Sequence, residues 1–139
     1  MTTHLPGIAL AALLATVAIF VLGGILFGAL TAMRKEFERH TALYRPREQM
    51  KKVMPLAMIS MYVGIFAATS LFAMGFPDGA SLALGGQFGA LLAVFVVCGF
   101  VLHNHVNLQI STRLTVYQAV AYFIEWFVVG LLISVFYKG

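Results

Sequence analysis

The stretch from about Ile8 to Met33 contains no charged side chain. A helix needs about 20 predominantly apolar residues to cross the hydrocarbon of a bilayer, and this run is longer than that. Three more runs follow, at about 53–74, 81–103 and 116–137, and the last is interrupted only by Gln118 and Glu125. The whole chain of 139 residues is 61% apolar and 10% charged, whereas soluble domains carry about 25% charged residues. So few polar side chains cannot cover a core this apolar. The runs are continuous and do not alternate over the ~10 residues of a barrel strand. A helix also satisfies its own backbone polar groups in hydrocarbon. The expected fold class is all-α: one integral membrane four-helix bundle over residues 1–139, antiparallel up-down, with helices at about 8–33, 53–74, 81–103 and 116–137.

A cleaved leader has a basic n-region and a 7–15-residue apolar core. The segment Met1–Gly7 has no Lys or Arg, and the run after it is too long, so it reads as a retained anchor. Breakers sit between the runs. Pro6-Gly7 opens the first, and Pro46 lies in the charged loop. Pro55 is expected in the first turn of the second helix, where a missing N–H does no harm. Phe76-Pro77-Asp78-Gly79 reads as a tight turn joining helices two and three into a hairpin.

Seven of the nine Lys/Arg fall between Arg34 and Lys52, and Arg113 lies in the loop between helices three and four. Cationic loops stay cytoplasmic, so loops 34–52 and 104–115 are expected inside and both termini outside. The basic cluster also suits anionic lipid. It is interleaved with Glu36, Glu38 and Glu48 and does not read as a nucleic-acid surface. It is expected to be solvated, or to extend helix one as far as Pro46 with ordinary exposed ion pairs, with a regulatory or docking role as the alternative.

Gly24 and Gly28, and Gly85 and Gly89, have the small-xxx-small spacing that lets helix backbones approach closely in lipid. Gly85, Gly89, Leu92, Val96 and Gly99 share one face of helix three, and His103 continues it. That places His103 in a helix seam. Two such faces also suit a homo-oligomer or a larger membrane complex. Met50, Met54, Met58 and Met61 line one side of helix two and read as packing rather than as a soft-metal site.

Glu125 is the most unusual residue. It lies near mid-membrane, where an ionised carboxylate costs at least about 2.5 kcal/mol. Gln118, Tyr122 and Glu125 follow i, i+4, i+7, a polar stripe that lipid would penalise and that should face the interior. It reads either as a proton-accepting or cation-coordinating site, or as a carboxyl hydrogen-bonded to Ser60, Tyr62 or Thr16. His103 and His105 are candidates for a metal or cofactor ligand, with His40 able to approach. As plain interfacial histidines they would bond backbone or Gln118. Cys98 is expected buried and inert. Tyr117 and Tyr137 bracket helix four like interface anchors. No nucleophile–base set and no phosphate loop occurs.

Four crossings, a basic first loop with Tyr44-Arg45-Pro46, a glycine-led third helix (Gly85, Gly86, Gly89), an Asn107-bearing loop and a last helix with Glu125-Trp126, Gly130 and Tyr137 resemble small bacterial four-helix inner-membrane proteins of unknown function. The resemblance implies a bacterial inner membrane and the four-crossing fold, and no activity. Small multidrug transporters fit less well, because their carboxylate is in the first helix. The membrane glutathione-transferase group is echoed only by Arg45-Pro46-Arg47-Glu48 and Met54-Pro55. The leading expectation is a non-enzymatic, self-associating or accessory membrane subunit. The alternatives are a proton- or cation-linked transporter or channel centred on Glu125, a glutathione-transferase-like enzyme, and a histidine-ligated cofactor or metal protein.

Overall fold

The computed structural model describes residues 4–139, and of Arg47 the backbone only. The described residues form helices and no strand. They comprise α1 (Leu5–Gly23), α2 (Thr31–Glu38), α3 (Arg47–Gly75), α4 (Leu82–Val96), α5 (His103–Asn107) and α6 (Thr112–Phe136). Wide π turns at Gly24–Ala29 and Val97–Leu102 continue α1 and join α4 to α5. Four segments are long and apolar enough to cross a membrane: Leu5–Ala29, Glu48–Gly75, Leu82–Asn107 and Thr112–Phe136.

The helices end where capping chemistry stops them, and hydropathy misplaces several of those ends. The first span breaks at Leu30, whose ψ of 111° leaves the helical region, short of the expected Met33. The next residues, expected as a solvated segment or as a continuation of helix one, form the separate amphipathic helix α2. It buries Met33 and Glu36 and exposes Arg34, Lys35 and Glu38. The second helix starts directly after Pro46, well before Val53, because charged side chains do not stop a helix. Pro55 therefore lies inside α3 rather than in its first turn, removing one backbone hydrogen bond. The third span runs on through its π turn to Asn107. Ser81 and Ser111 cap α4 and α6 by accepting from Leu84 N (3.3 Å) and Leu114 N (3.1 Å), so the fourth helix begins at Thr112 rather than Val116.

Packing follows a chain of neighbours. α3 lies on α1, α1 on α6, and α6 on α4. The tight turn forms as expected, with Gly79 N bonded to Phe76 O (3.0 Å) and Gly79 at φ +85°. Near it α3 meets α4 through Phe72 and Phe88, whose ring centroids are 5.2 Å apart. From Met54 to Ser60 α3 is exposed all round.

The closest seam joins α4 to α6. A side chain on Gly130 would overlap the backbone of Gly85 and Gly89, and one on Gly89 would fall 2.5 Å from Phe127 O. The expected glycine face thus splits. Gly85 and Gly89 are buried in the seam, but Gly99 has nothing within 4 Å of where a Cβ would stand. Gly24 and Gly28 are equally open, so they are no packing face between helices of this chain. His103 is exposed rather than in a seam, and Cys98 is exposed rather than buried. Tyr137 is fully buried instead of anchoring at an interface. Its hydroxyl donates to Pro77 O (3.0 Å), fastening the end of α6 to the turn.

Candidate functional site

Glu125 lies thirteen residues into α6, about 20 Å along the helix at 1.5 Å per residue, and is only 4% exposed. Its carboxyl rests against the last residue of α1: a Cβ on Gly23 would stand 2.6 Å from Glu125 Oε1. None of the three expected partners bonds it: Tyr62 packs its ring by Phe66 (centroids 6.1 Å apart), and the other two are occupied elsewhere. Thr16 donates to Ala12 O (2.7 Å) and Ser60 to Ala57 O (3.0 Å). Among the described residues no side chain or backbone group hydrogen-bonds the Glu125 carboxyl. His4 Nδ1 is the one wholly enclosed side-chain polar atom left without a partner among those residues. The Glu125 oxygens therefore keep some accessible surface.

One turn away, the Tyr122 ring lies between the two π turns. Its centroid is 5.1 Å from Phe27 of the first and 5.7 Å from Phe100 of the second, perpendicular to the latter. π turns are rare in helices and recur at functional sites. A further turn along α6, Gln118 is buried and its Nε2 donates to the Tyr44 hydroxyl (3.1 Å). Tyr44 stands edge-on to Phe37 (4.7 Å), and Phe37 is 6.3 Å from Phe27. Met33, Ile110, Leu114 and Ala121 are buried in the same cluster. Gln118, Tyr122 and Glu125 thus run along α6 beneath a cap of aromatic and aliphatic side chains.

A polar network clasps the outside of that cap. Glu36, expected in an exposed pair, is 3% exposed. Its carboxylate accepts from Arg39 Nη1 (2.9 Å) and Ser111 Oγ (3.3 Å), and Arg113 Nε lies 3.6 Å away. His40 spans the two loops. Its Nδ1 is 2.8 Å from Glu36 O, and its Nε2 is 3.1 Å from Ser111 N. A carbonyl only accepts and a backbone N–H only donates. This arrangement puts the ring hydrogen on Nδ1 and turns the lone pair of Nε2 to Ser111.

The remaining candidates lie apart from this column. His103 contributes only its carbonyl, to Asn107 Nδ2 (2.9 Å). His105 Nδ1 pairs with Thr115 Oγ1 (2.8 Å), so neither histidine bonds Gln118. No group of three or more His, Cys, Asp or Glu among the described residues could hold a metal ion. Met50, Met54 and Met58 are exposed and Met61 is half-buried.

Sequence reasoning missed Gly23, Glu36, Tyr44 and Ser111 as parts of the site, and expected His40 beside His103 and His105 rather than on Glu36 O and Ser111 N. The Gly23-Gly24 pair opposite a buried acid was a usable signal for the first. Glu36 three residues after Met33, on one face of a short amphipathic helix, was a weaker one. No family model, curated protein or solved structure matches this chain.

The chemistry open to the column is narrow. A carboxyl without a fixed partner can take up and release a proton, or bind a small cation, and Tyr122 and Gln118 can relay or solvate the charge.

Proposed function

We propose that this chain is a small multi-pass membrane protein that uses Glu125 to bind and pass a proton or small cation. The observation that carries this reading is a mid-span carboxyl set over a glycine, without a hydrogen-bond partner, at the end of a polar column. A structural carboxyl in lipid ordinarily finds a donor on a neighbouring helix. The helices run antiparallel, up and down, with the basic loops on the cytoplasmic face of a bacterial inner membrane and both termini outside. Gly7 against the Tyr137 ring, Gly23 against Glu125 and Met33 in one cluster with Leu114 support that arrangement of α1 and α6. The positive charge near Arg34–Lys52 supports the sidedness.

The test is ion flux in vesicles reconstituted with the purified protein and an internal pH dye. Wild type collapses an imposed gradient, and Glu125→Gln does not. Equal rates in the two would remove the reading. Sidedness is read with an impermeant maleimide on Cys98→Ala carrying Lys51→Cys or Lys138→Cys. The first reacts only in inside-out vesicles and the second only in right-side-out ones.

A second reading keeps the chain as a self-associating or accessory subunit of a larger membrane complex. The specific observation in its favour is the Gly24–Gly28 face, which no described residue covers. Native mass in mild detergent decides it: a lone monomer counts against it.

A further inference from the structure

We propose that Tyr44 is the plug that closes the basic-end route to Glu125, and that His40 is the latch that holds the plug in place only while its ring is neutral. This rests on the charge-carrying reading of Glu125 and assigns the regulation of that same site.

The route along α6 from the basic end meets Gln118 first. The side chain over Gln118 is Tyr44, which holds the amide through its hydroxyl and is braced edge-on by Phe37. Behind them Phe27 and Phe100 flank Tyr122. While the Tyr44 ring stays on Gln118 it covers the first polar side chain of the column.

Tyr44 belongs to the short turn between α2 and α3, and besides its packing on the cluster that holds Ile110 and Leu114 that turn makes two long-range hydrogen bonds. Tyr44 reaches α6 through Gln118. His40 reaches the start of α6 through Ser111 N, across a sequence separation of 71 residues. The backbone links the two: Tyr44 N donates to His40 O (3.3 Å) and Leu43 N to His40 O (2.9 Å). A displaced His40 therefore carries the turn and the Tyr44 ring with it. An open hollow of about 240 Å³ lined by Arg39, His40, Thr41 and Gln109 adjoins the latch.

Protonation undoes the latch by geometry. A proton on Nε2 would point at the Ser111 N–H, replacing a hydrogen bond with two opposed donors. The charged groups around the ring are Glu36 and Arg39 on its own segment and Arg113 on α6. The Glu36 carboxylate already serves Arg39, Ser111 and Arg113, and the two arginines oppose a third positive charge. The plug is thus held at higher pH and freed as pH falls and the imidazole takes up its proton. Acid on the basic side would open the path to the carboxyl that carries it.

The test reads the accessibility of Glu125 itself, so it survives a failure of the transport reading. Reconstituted protein is treated from the basic-loop side with a water-soluble carbodiimide, and modification at Glu125 is measured by peptide mass. Comparing variants at one pH cancels the carboxyl's own titration. At about pH 8, where a histidine is neutral, Tyr44→Ala is expected to label roughly tenfold faster than wild type, and Tyr44→Phe, which loses one hydrogen bond, roughly threefold faster. His40→Gln keeps an acceptor for Ser111 N–H that does not titrate. It is expected to match wild type at about pH 8 and to label several-fold more slowly than wild type at about pH 5. Equal labelling of Tyr44→Ala and wild type overturns the plug. Equal labelling of His40→Gln and wild type at the lower pH overturns the latch. Should Tyr44→Ala fail to fold, Tyr44→Phe decides the plug on the same terms. If the labelling pattern holds while Glu125→Gln leaves flux unchanged, the gate stands and the transport reading falls.

Discussion

The turn end and the basic end of this molecule are held together in opposite ways. At the turn end, α4 and α6 meet backbone to backbone at Gly85, Gly89 and Gly130. Phe72, Phe76, Phe88 and Tyr137 stack around the loop. The helices are regular, and the buried Thr69 and Ser134 hydroxyls each donate to a carbonyl of their own helix. At the basic end the helices widen into two π turns, a carboxylate is buried in α2, and polar side chains line α6. Close packing secures the first region, together with the single Tyr137–Pro77 hydrogen bond across the turn. The second is secured by directional bonds, which can break and re-form. Packing that has to persist and bonds that can rearrange therefore lie at opposite ends of the same helices.

The sharpest way to break the comparison is to put bulk into the glycine seam. Gly130→Val would drive a side chain into the backbone of α4, and neither backbone can retreat. Overpacking usually costs about 1–3 kcal/mol, and a clash between two main chains should reach the top of that range or pass it. Thermal unfolding in detergent should show a collapse in midpoint, and a midpoint near wild type would mean that the two backbones can separate at little cost.

Next in size is the loss of the α2 carboxylate. Glu36→Ala removes the acceptor shared by Arg39 and Ser111 and should lower stability by about 1–2 kcal/mol. Because both arginines are well exposed, the loss is far from that of a broken buried ion pair. The effect should be seen as faster hydrogen exchange in α2 and in the 104–115 loop, with the α4–α6 seam unaffected. Equal loosening of both ends would show that they are not independent.

Smaller still in stability, but larger in function, is Gly23→Ala. The new methyl meets only the far end of the Glu125 side chain, which can swing away. The midpoint should move by less than about 1 kcal/mol, while vesicle flux falls several-fold. The smallest effect belongs to Gly24→Leu and Gly28→Leu. Both point into open space, so the monomer fold should change by under about 0.5 kcal/mol. A drop in native mass from oligomer to monomer in those variants would favour the self-association reading.

Much of the fold was legible because lipid imposes a strong rule. Uncharged runs such as Ile8–Met33 mark spans whatever they pack against. Helix ends were less legible, since Pro46 and Ser111 act through caps that hydropathy does not register. The π turns left no compositional mark. In the site, the spacing of Gln118, Tyr122 and Glu125 placed them on one side of a helix in advance. Their partners could not be read, because Gly23, Phe27, Tyr44 and Phe100 come from three other segments and meet the column only through tertiary packing. The glycine pattern misled in part. Gly85 and Gly24 carry the same spacing, and what separates them is the neighbour, which sequence spacing does not specify.

The contact between Gly23 and Glu125 also constrains how such a chain can evolve. A methyl at the first position and a full-length acid at the second compete for the same few cubic ångströms, so neither can drift alone. Lineages that gain alanine at 23 should carry aspartate at 125, and the double exchange Gly23→Ala with Glu125→Asp should recover what the single alanine loses. Covariation of these two positions, so far apart in the chain, would be the inherited trace of one shared pocket.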